Sequence, residues 1–450
     1  MADLDAVFKA YDIRGLAPGQ IDAGLCRRIG AAFARFAADT DGAERVLVCR
    51  DMRPTGPELV AAFTDGALGQ GLDVVDVGMG STDLAYYAAG VLDAPAAMFT
   101  ASHNPAQYNG IKLCLSGAKP VGIDTGLDAV KTMAATGIPD VASDERGART
   151  EQDLLDAYAD HVRSFVDVTL LRPLKVVADT ANGMGGLVVP AVFEGLPFEL
   201  DLLYPELDGT FPNHPADPLN PENQRDLKAR VLEVGADVGL AFDGDADRVF
   251  LVDEQGEGVS GSTTTAIVAA AVLEREPGAT ILHNCICSKA VPEVVRERGG
   301  TPIRTKVGHS YIKAVMAETG AAFGGEHSAH YYFRENFRAD SGAIAALVVL
   351  EQLSRASVPL SELRRPFERY AASGEINFEV PDPRAVVERV AEHYAGADQD
   401  RLDGLTVDFG VWWFNLRPSN TEPLLRLNLE ATTLDKMEQK RDEVLAFIRS

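Results

Sequence analysis

Thr100-Ala-Ser-His-Asn-Pro105, continued by Asn109-Gly-Ile-Lys112, is the stretch whose reading decides the fold. An apolar run, Ala94 to Phe99, leads into it and has the pattern of a buried strand. The strand stops at small polar residues, and Asn104-Pro105 and Asn109-Gly110 both punctuate as turns. Ser102 is therefore expected just beyond the carboxyl end of a strand, where parallel sheets place their chemistry. Alone, such a loop could be a plain crossover with a capping serine. Its recurrence along the chain argues otherwise.

Working outward, the flanking sequence alternates strand and helix patterns. Phe8 to Gly15 reads as a short strand, residues 21–38 as an amphipathic helix, and Arg45 to Cys49 as a buried strand. A helix is expected over 58–70, a strand over Asp73 to Val77, and a short helix over Asp83 to Ala89. That alternation describes a doubly wound layered domain. Ala135 to Thr150 is polar and irregular and reads as a boundary, with a connecting helix over 151–167.

A second unit opens with the strand Leu174 to Asp179 and a glycine-rich turn, Asn182 to Gly186. The turn lacks both G-x-G-x-x-G spacing and a Walker lysine, so it is a tight strand-to-helix connection and no nucleotide fingerprint. After a proline-rich loop and a helix over 222–234, the strand Ala236 to Phe242 ends in Asp243-Gly-Asp-Ala-Asp-Arg248, and Val249 to Val252 resumes as a strand. In a third unit, hydroxyls of Ser262 to Thr264 are expected to cap a helix reaching Arg275. Strand Ala279 to Cys287, helix 289–297, strand Thr301 to Val307, helix 311–318 and strand Ala321 to Phe323 follow, ending in Gly324-Gly-Glu-His-Ser-Ala-His330. Each unit thus ends an apolar run in a small-residue polar loop, the signature of a weak internal repeat. From about residue 370 the style changes to alternating segments around the loop Arg417-Pro-Ser-Asn-Thr-Glu-Pro423, a smaller antiparallel α+β domain.

A chain of 450 residues exceeds one ordinary core. Its 46% apolar and 24% charged composition is that of a soluble globular protein. No run of 18 or more apolar residues suggests a membrane span, and Asp3 and Asp5 stand where a secretory leader would be basic. Five cysteines fit no disulfide framework, so reduced thiols and a cytoplasmic location are expected. The net charge of -25 leaves no basic stripe for nucleic acid, although local arginines could still hold a small phosphorylated substrate.

Asp243, Asp245 and Asp247 crowd three carboxylates into five residues, an arrangement that calls for a hard divalent cation with oxygen ligands. A calcium loop is rejected because its sixth position must be glycine and here is Arg248. Magnesium engaged in phosphoryl transfer fits better, since it needs few carboxylates and fills its shell with phosphate oxygens. An aspartyl-phosphate phosphatase, with Asp243 as nucleophile in Asp-x-Asp, stays open, though the third aspartate favours metal. Ser102 beside His103 is not expected to form a hydrolase dyad, because sequence neighbours rarely face each other and no G-x-S-x-G elbow is present. A phosphorylated Ser102 would supply the anionic ligand that the aspartate site lacks. Arg417, with Ser419, Asn420, Thr421 and Arg426, offers a fork and further donors to a phosphate, the plain alternative being a turn between strands.

With these residues in view, the chain resembles the α-D-phosphohexomutase superfamily, in its phosphomannomutase/phosphoglucomutase branch, over essentially its whole length. Four motifs carry the resemblance in order: Thr100 to Pro105, Asp243 to Arg248, Gly325 to His330 and Arg417 to Pro423. It implies an α/β architecture of three similar mixed α/β domains around a deep cleft plus a smaller C-terminal α+β domain. The expected bounds are 1–148, 149–254, 255–369 and 370–450. It implies Ser102 as the phosphoserine, and Asp243, Asp245 and Asp247 as Mg²⁺ ligands together with the Ser102 phosphate. Arg14, His103 and Arg248 would line the reacting end, with Lys112 and His309 as candidates for proton transfer. Glu326 and Ser328 would read the sugar, and Arg417, Ser419, Asn420, Thr421 and Arg426 would grip the phosphate that is not reacting.

The implied reaction interconverts hexose 6- and 1-phosphates through a hexose 1,6-bisphosphate, which also re-primes the enzyme. Relatives acting on glucosamine phosphate typically carry Gly-Glu-Gln-Ser-Gly-His and a glycine in place of Asn420. The loops here are nearer those of phosphomannomutases, with a dual mannose/glucose specificity as the alternative and a non-catalytic sugar-phosphate sensor a distant one. Two departures stand out: Ala329 replaces a commoner glycine, and Ile286 stands where a lysine is frequent, with Lys289 and Lys306 nearby. The oligomeric state, monomer or dimer, is not readable from the residues.

Overall fold

The computed structural model describes residues 4–418 and 424–449. The chain forms two compact units, Met1–Val259 with His330–Ser361, and Ser260–Ala329 with Glu362–Ser450. Among the described residues no single helix is long and apolar enough to cross a membrane.

The first unit holds two mixed sheets. In one, strands Ala96–Phe99, Arg45–Arg50, Asp73–Met79 and Arg149–Glu151 run parallel, because helices form the connections between the first three. The long strand Tyr108–Leu115 returns antiparallel beside Ala96–Phe99 and pairs on its far edge with Ile13–Leu16. In the other sheet, Val238–Phe242, Lys175–Asp179 and Glu199–Leu203 are parallel, and Val249–Asp253 turns back against Val238–Phe242. Both central strands, Ala96–Phe99 and Val238–Phe242, are buried throughout, which is why they read as continuous apolar runs.

In the second unit, Thr301–Thr305, Thr280–Asn284 and Phe323–Gly325 form parallel pairs. A separate antiparallel sheet runs in the order Ala371–Glu379, Leu424–Ala431, Trp412–Pro418, Leu405–Asp408, Asp398–Asp400. Its inner face is closed by helices Pro383–His393 and Leu434–Arg449, through Val390, Val444 and Ile448 packing on Phe414, Leu425 and Leu427.

Several local expectations are corrected. Phe8 to Gly15 is not one strand: a short helix, Leu4–Val7, comes first, and Phe8 contributes an isolated bridge to Ile13. The polar segment before residue 150 ends in a strand, Arg149–Glu151, that joins the first sheet, since an edge position asks for no apolar pattern. Helix Gly261–Arg275 is capped by Ser260, whose side chain accepts from the Thr263 N–H, while Ser262 to Thr264 lie inside the helix. Strand Thr280–Asn284 stops before Cys285, so the Cys285-x-Cys287 pair lies in a turn. Strand Glu199–Leu203 went unread because Glu199 and Asp201 interrupt its apolar run and none of its residues is fully buried.

Candidate active site

Ser102 follows the buried strand Ala96–Phe99 and adopts a left-handed backbone conformation, with φ of 49°. Its N–H donates to Thr100 Oγ1 at 2.8 Å, and its carbonyl accepts from Arg53 Nη2 at 2.9 Å. The hydroxyl donates to Asp243 Oδ2 at 2.8 Å, although the two residues are 141 positions apart. His103 Nδ1 also lies 3.2 Å from Ser102 Oγ. The expectation that these neighbours do not face each other is therefore corrected, and the left-handed turn at Ser102 is the reason. Burial, then the Arg248 and Arg14 charges, holds the His103 imidazolium well below its ordinary pKa, so this histidine is neutral at pH 7.

The three aspartates leave strand Val238–Phe242 and are all buried. Arg248 folds back onto the first of them, with Nε at 2.9 Å and Nη2 at 2.8 Å from Asp243 Oδ2. Burial nevertheless pushes the Asp243 carboxyl well above the carboxylate range. Asp245 is the opposite case. Burial works against its charge, but the Lys112 ammonium and the Thr82 hydroxyl carry its pKa far below the usual value. Lys112 Nζ lies 2.8 Å from Asp245 Oδ2 and 2.7 Å from Asp247 Oδ2. Those two charges overcome burial and raise the lysine well above its ordinary value, so it stands in the site as a donor.

Asp245 Oδ1 and Asp247 Oδ1 are buried and accept no hydrogen bond among the described residues. Each such acceptor costs about 1–3 kcal/mol when left without a donor. The three carboxylates offer oxygens within 4.8 Å of one another. All-oxygen, with two buried acceptors left unsatisfied among the described residues, this set fits a hard divalent cation. Asp243 is poorly placed as an attacking nucleophile, since it is fully buried and its Oδ2 is taken by Ser102 and Arg248.

Arg14, at the start of the edge strand Ile13–Leu16, donates to Asn104 Oδ1 in the serine loop and pairs with Asp12. Asp243 and His103 thus meet the Ser102 hydroxyl, while Arg14 holds Asn104 of the same loop and Lys112 holds the other two aspartates. Sequence reasoning assigns no role to Thr82, Arg53 or Asp51 and gives little weight to His330, one histidine of the Gly325 to His330 motif. Thr82 donates its N–H to the Asp245 carbonyl and its hydroxyl to Asp245 Oδ2. Arg53 and Asp51 sit fully buried beneath the loop. His330 lies 3.8 Å from Asp247 Oδ1 and 3.9 Å from Asp340 Oδ2. Asp51 and Arg53 carried a readable signal, as charged residues of Arg50-Asp-Met-Arg53 at the end of strand Arg45–Arg50.

The second unit carries the other candidates. Glu326 is buried directly after strand Phe323–Gly325 and accepts from the Gly308 N–H at 3.0 Å and from Asn284 Nδ2 at 3.2 Å. Ser328 is half-buried in the turn that follows, and His309 is the first residue of helix His309–Thr319. Arg417 and Arg426 face each other across adjacent strands. One carboxylate, Glu375, binds both, at 3.0 and 3.2 Å. Ser419, Asn420 and Thr421 lie outside the described residues. Lys289 is committed to Asp408 at 2.6 Å, and Lys306 lies over the Tyr311 ring at 5.4 Å.

Four domain models of one family match the chain in order. They are phosphoglucomutase/phosphomannomutase α/β/α domain I over residues 5–136, domain II over 156–257, domain III over 260–370 and the C-terminal domain over 375–447. A Xanthomonas campestris pv. campestris protein named "phosphohexose mutases" is 42% identical, with 94% of each chain covered. A Salmonella montevideo phosphomannomutase is 40% identical over 98% of this chain and 99% of its own. Among solved structures, a phosphoglucomutase/phosphomannomutase family protein from Burkholderia thailandensis superposes with a TM-score of 0.89 at 33% identity, covering 99% of this chain and 97% of its own.

Proposed function

The chain belongs to the α-D-phosphohexomutase superfamily, in its phosphoglucomutase/phosphomannomutase branch, and we propose that within it the chain is a phosphomannomutase. A phosphohexomutase-type reaction on small hexose phosphates comes with the family. The finer reading interconverts mannose 6-phosphate and mannose 1-phosphate through a phosphoserine at Ser102 and a hexose 1,6-bisphosphate. The observation that carries it is the 2.8 Å contact from Ser102 Oγ to Asp243, beside two buried aspartate oxygens that accept no hydrogen bond among the described residues. A serine hydroxyl so placed delivers a phosphoryl group directly against the carboxylate cluster.

In this reading the bond from Ser102 Oγ to phosphorus breaks as the free hydroxyl of the bound hexose monophosphate takes the phosphoryl group. The hexose hydroxyl gives its proton to a base of the site while Ser102 Oγ takes a proton from an acid of the site, so Ser102 is left as its hydroxyl, donating to Asp243. The bisphosphate then presents its other phosphate, whose bond from sugar oxygen to phosphorus breaks as Ser102 Oγ takes the group and gives up its proton, and the sugar oxygen is protonated as the isomeric monophosphate leaves. Arg14, His103 and Arg248 line the reacting end. Lys112 enters as an ammonium that donates hydrogen bonds, and Lys112 and His309 are the two candidates for proton transfer. Mg²⁺ held by Asp243, Asp245 and Asp247 would withdraw charge from the transferring phosphoryl oxygens. Glu326 and Ser328 bind sugar hydroxyls, while Arg417 and Arg426, with Ser419, Asn420 and Thr421, hold the phosphate that stays.

Mannose is favoured because relatives of 40% and 41% identity, matched over at least 94% of their length, are named phosphomannomutases. The printed name of the Xanthomonas relative supports a second reading, in which glucose phosphates are turned over as well. A coupled assay with Mg²⁺ and hexose 1,6-bisphosphate decides between them by comparing kcat/KM for mannose, glucose and glucosamine 1-phosphates. Mannose preference is expected, near parity with glucose establishes dual specificity, and glucosamine preference overturns both. Ser102→Ala is expected to lose turnover by several orders of magnitude while retaining substrate binding. Unchanged turnover in that variant would remove the phosphoserine role.

A further inference from the structure

We propose that Arg53 is the positioning residue of the phosphoryl-transfer loop, holding Ser102 in its reactive geometry through the loop's own carbonyls. The proposal rests on the reading of Ser102 as the phosphoryl carrier. A guanidinium has five N–H donors in a planar fork, and here every one is used. Nη2 donates to the carbonyls of Ser102 at 2.9 Å and Asn104 at 2.7 Å, and Nη1 to those of Pro105 at 2.9 Å and Tyr108 at 2.8 Å. The fifth donor, Nε, meets Asp51 Oδ2 at 3.2 Å, and Asp51 Oδ1 accepts the Arg53 N–H at 2.9 Å. One face of the fork lies 5.2 Å from the Phe211 ring centroid.

The loop needs such a holder. Between the end of strand Ala96–Phe99 and the start of Tyr108–Leu115 it belongs to no sheet, and its internal backbone bonds include Asn104 N–H to Ala101 and Tyr108 N–H to Pro105. Ser102 sits at positive φ, a conformation that costs an L-residue about 1–2 kcal/mol and persists only where the surroundings over-determine it. The Arg53 bond to the Ser102 carbonyl acts on the residue that bears the reacting oxygen. The remaining three bonds close the loop onto the same planar group, so the fork sets four carbonyl positions at once. Lysine, a single rotatable donor centre, cannot reproduce that constraint. Asp51 and the four carbonyl dipoles compensate a charge that is otherwise fully buried.

The test uses the full chain with Arg53→Lys and Arg53→Gln beside the parent, all incubated with glucose 1,6-bisphosphate. Phosphate on Ser102 is read by intact mass, its loss to water is followed without sugar, and kcat and KM are measured with mannose and glucose 1-phosphates. The expected result is a folded variant that accepts phosphate and keeps KM within about threefold. Its kcat falls about 10²-fold, the cost of an ångström-scale misplacement of a reacting atom. A phosphorylated, folded variant with kcat close to the parent value overturns the role of Arg53. Loss of the fold in both variants, or a fall in activity that only tracks the folded fraction, assigns Arg53 to architecture alone and overturns it as well. A parent that never carries phosphate on Ser102 removes the phosphoserine reading, an outcome distinct from normal turnover by phosphorylated variants.

Discussion

At the scale of single residues, the site depends on backbones approaching more closely than side chains allow. Gly244, between the first two aspartates, packs against the serine loop so tightly that a Cβ there would lie 2.5 Å from the Ser102 carbonyl oxygen. Backbone on both sides leaves nothing flexible to yield. Gly244→Ala should therefore displace Ser102 from Asp243 and lower kcat by about 10²-fold, with a smaller effect on thermal stability. Steady-state kinetics beside a melting curve check this, and parent-like kcat would mean that the loop has slack the distances do not suggest.

At the scale of elements, helices Ala23–Asp41 and Gly56–Leu68 meet through glycine. A Cβ on Gly66 would lie 2.0 Å from the Arg27 carbonyl oxygen. In an exposed helix, glycine to alanine stabilises by about 1 kcal/mol. Here overpacking reverses the sign, and Gly66→Ala should destabilise by about 1–3 kcal/mol in urea unfolding while sparing the chemistry. A stabilised variant would refute the close packing.

Asp83 ties three elements together, because its carboxylate takes hydroxyl donors from Ser81, from Tyr158 at 2.5 Å and from Ser341 at 2.7 Å. The next residue back, Thr82, is the one that reaches Asp245. Burial outweighs those donors and raises the Asp83 pKa from 3.8 to about 6. Between these values the folded chain binds the proton more tightly than the unfolded chain. The resulting stability is full below the unfolded pKa and is lost as pH rises through the folded one. Relative to Asp83→Asn, the parent should lose about 3 kcal/mol between roughly pH 4 and pH 6.5. Thermal melts of both proteins across that window measure the difference, and a flat difference would show that Asp83 titrates normally.

At the scale of the molecule, all five cysteines are buried and none forms a disulfide. Burial raises the thiols of Cys26, Cys49 and Cys285 to about 12, so thiolate is scarce at pH 7. A thiol reagent should titrate none of the five within minutes on the native protein and all five after denaturation. Rapid native labelling of any one would show an opening that its burial does not predict.

Apolar periodicity and turn residues are local, so the amino-acid order alone determined the α/β class, the strand preceding each polar loop, and the choice of Ser102 and the aspartate trio as candidates. It also determined the antiparallel style of the C-terminal sheet, whose alternation is written in the strands themselves. Edge strands such as Arg149–Glu151 lacked that signal, because a position outside the core imposes no apolar pattern. Tertiary structure decided which distant groups meet. Ser102 reaches Asp243, Thr82 reaches Asp245, and Glu375 binds both Arg417 and Arg426. It also turned His103 toward its neighbour and placed Arg53 beneath the loop with every donor used. Such pairings depend on backbone conformation and packing across long separations, where burial makes each partnered polar group worth far more than its residue type reveals.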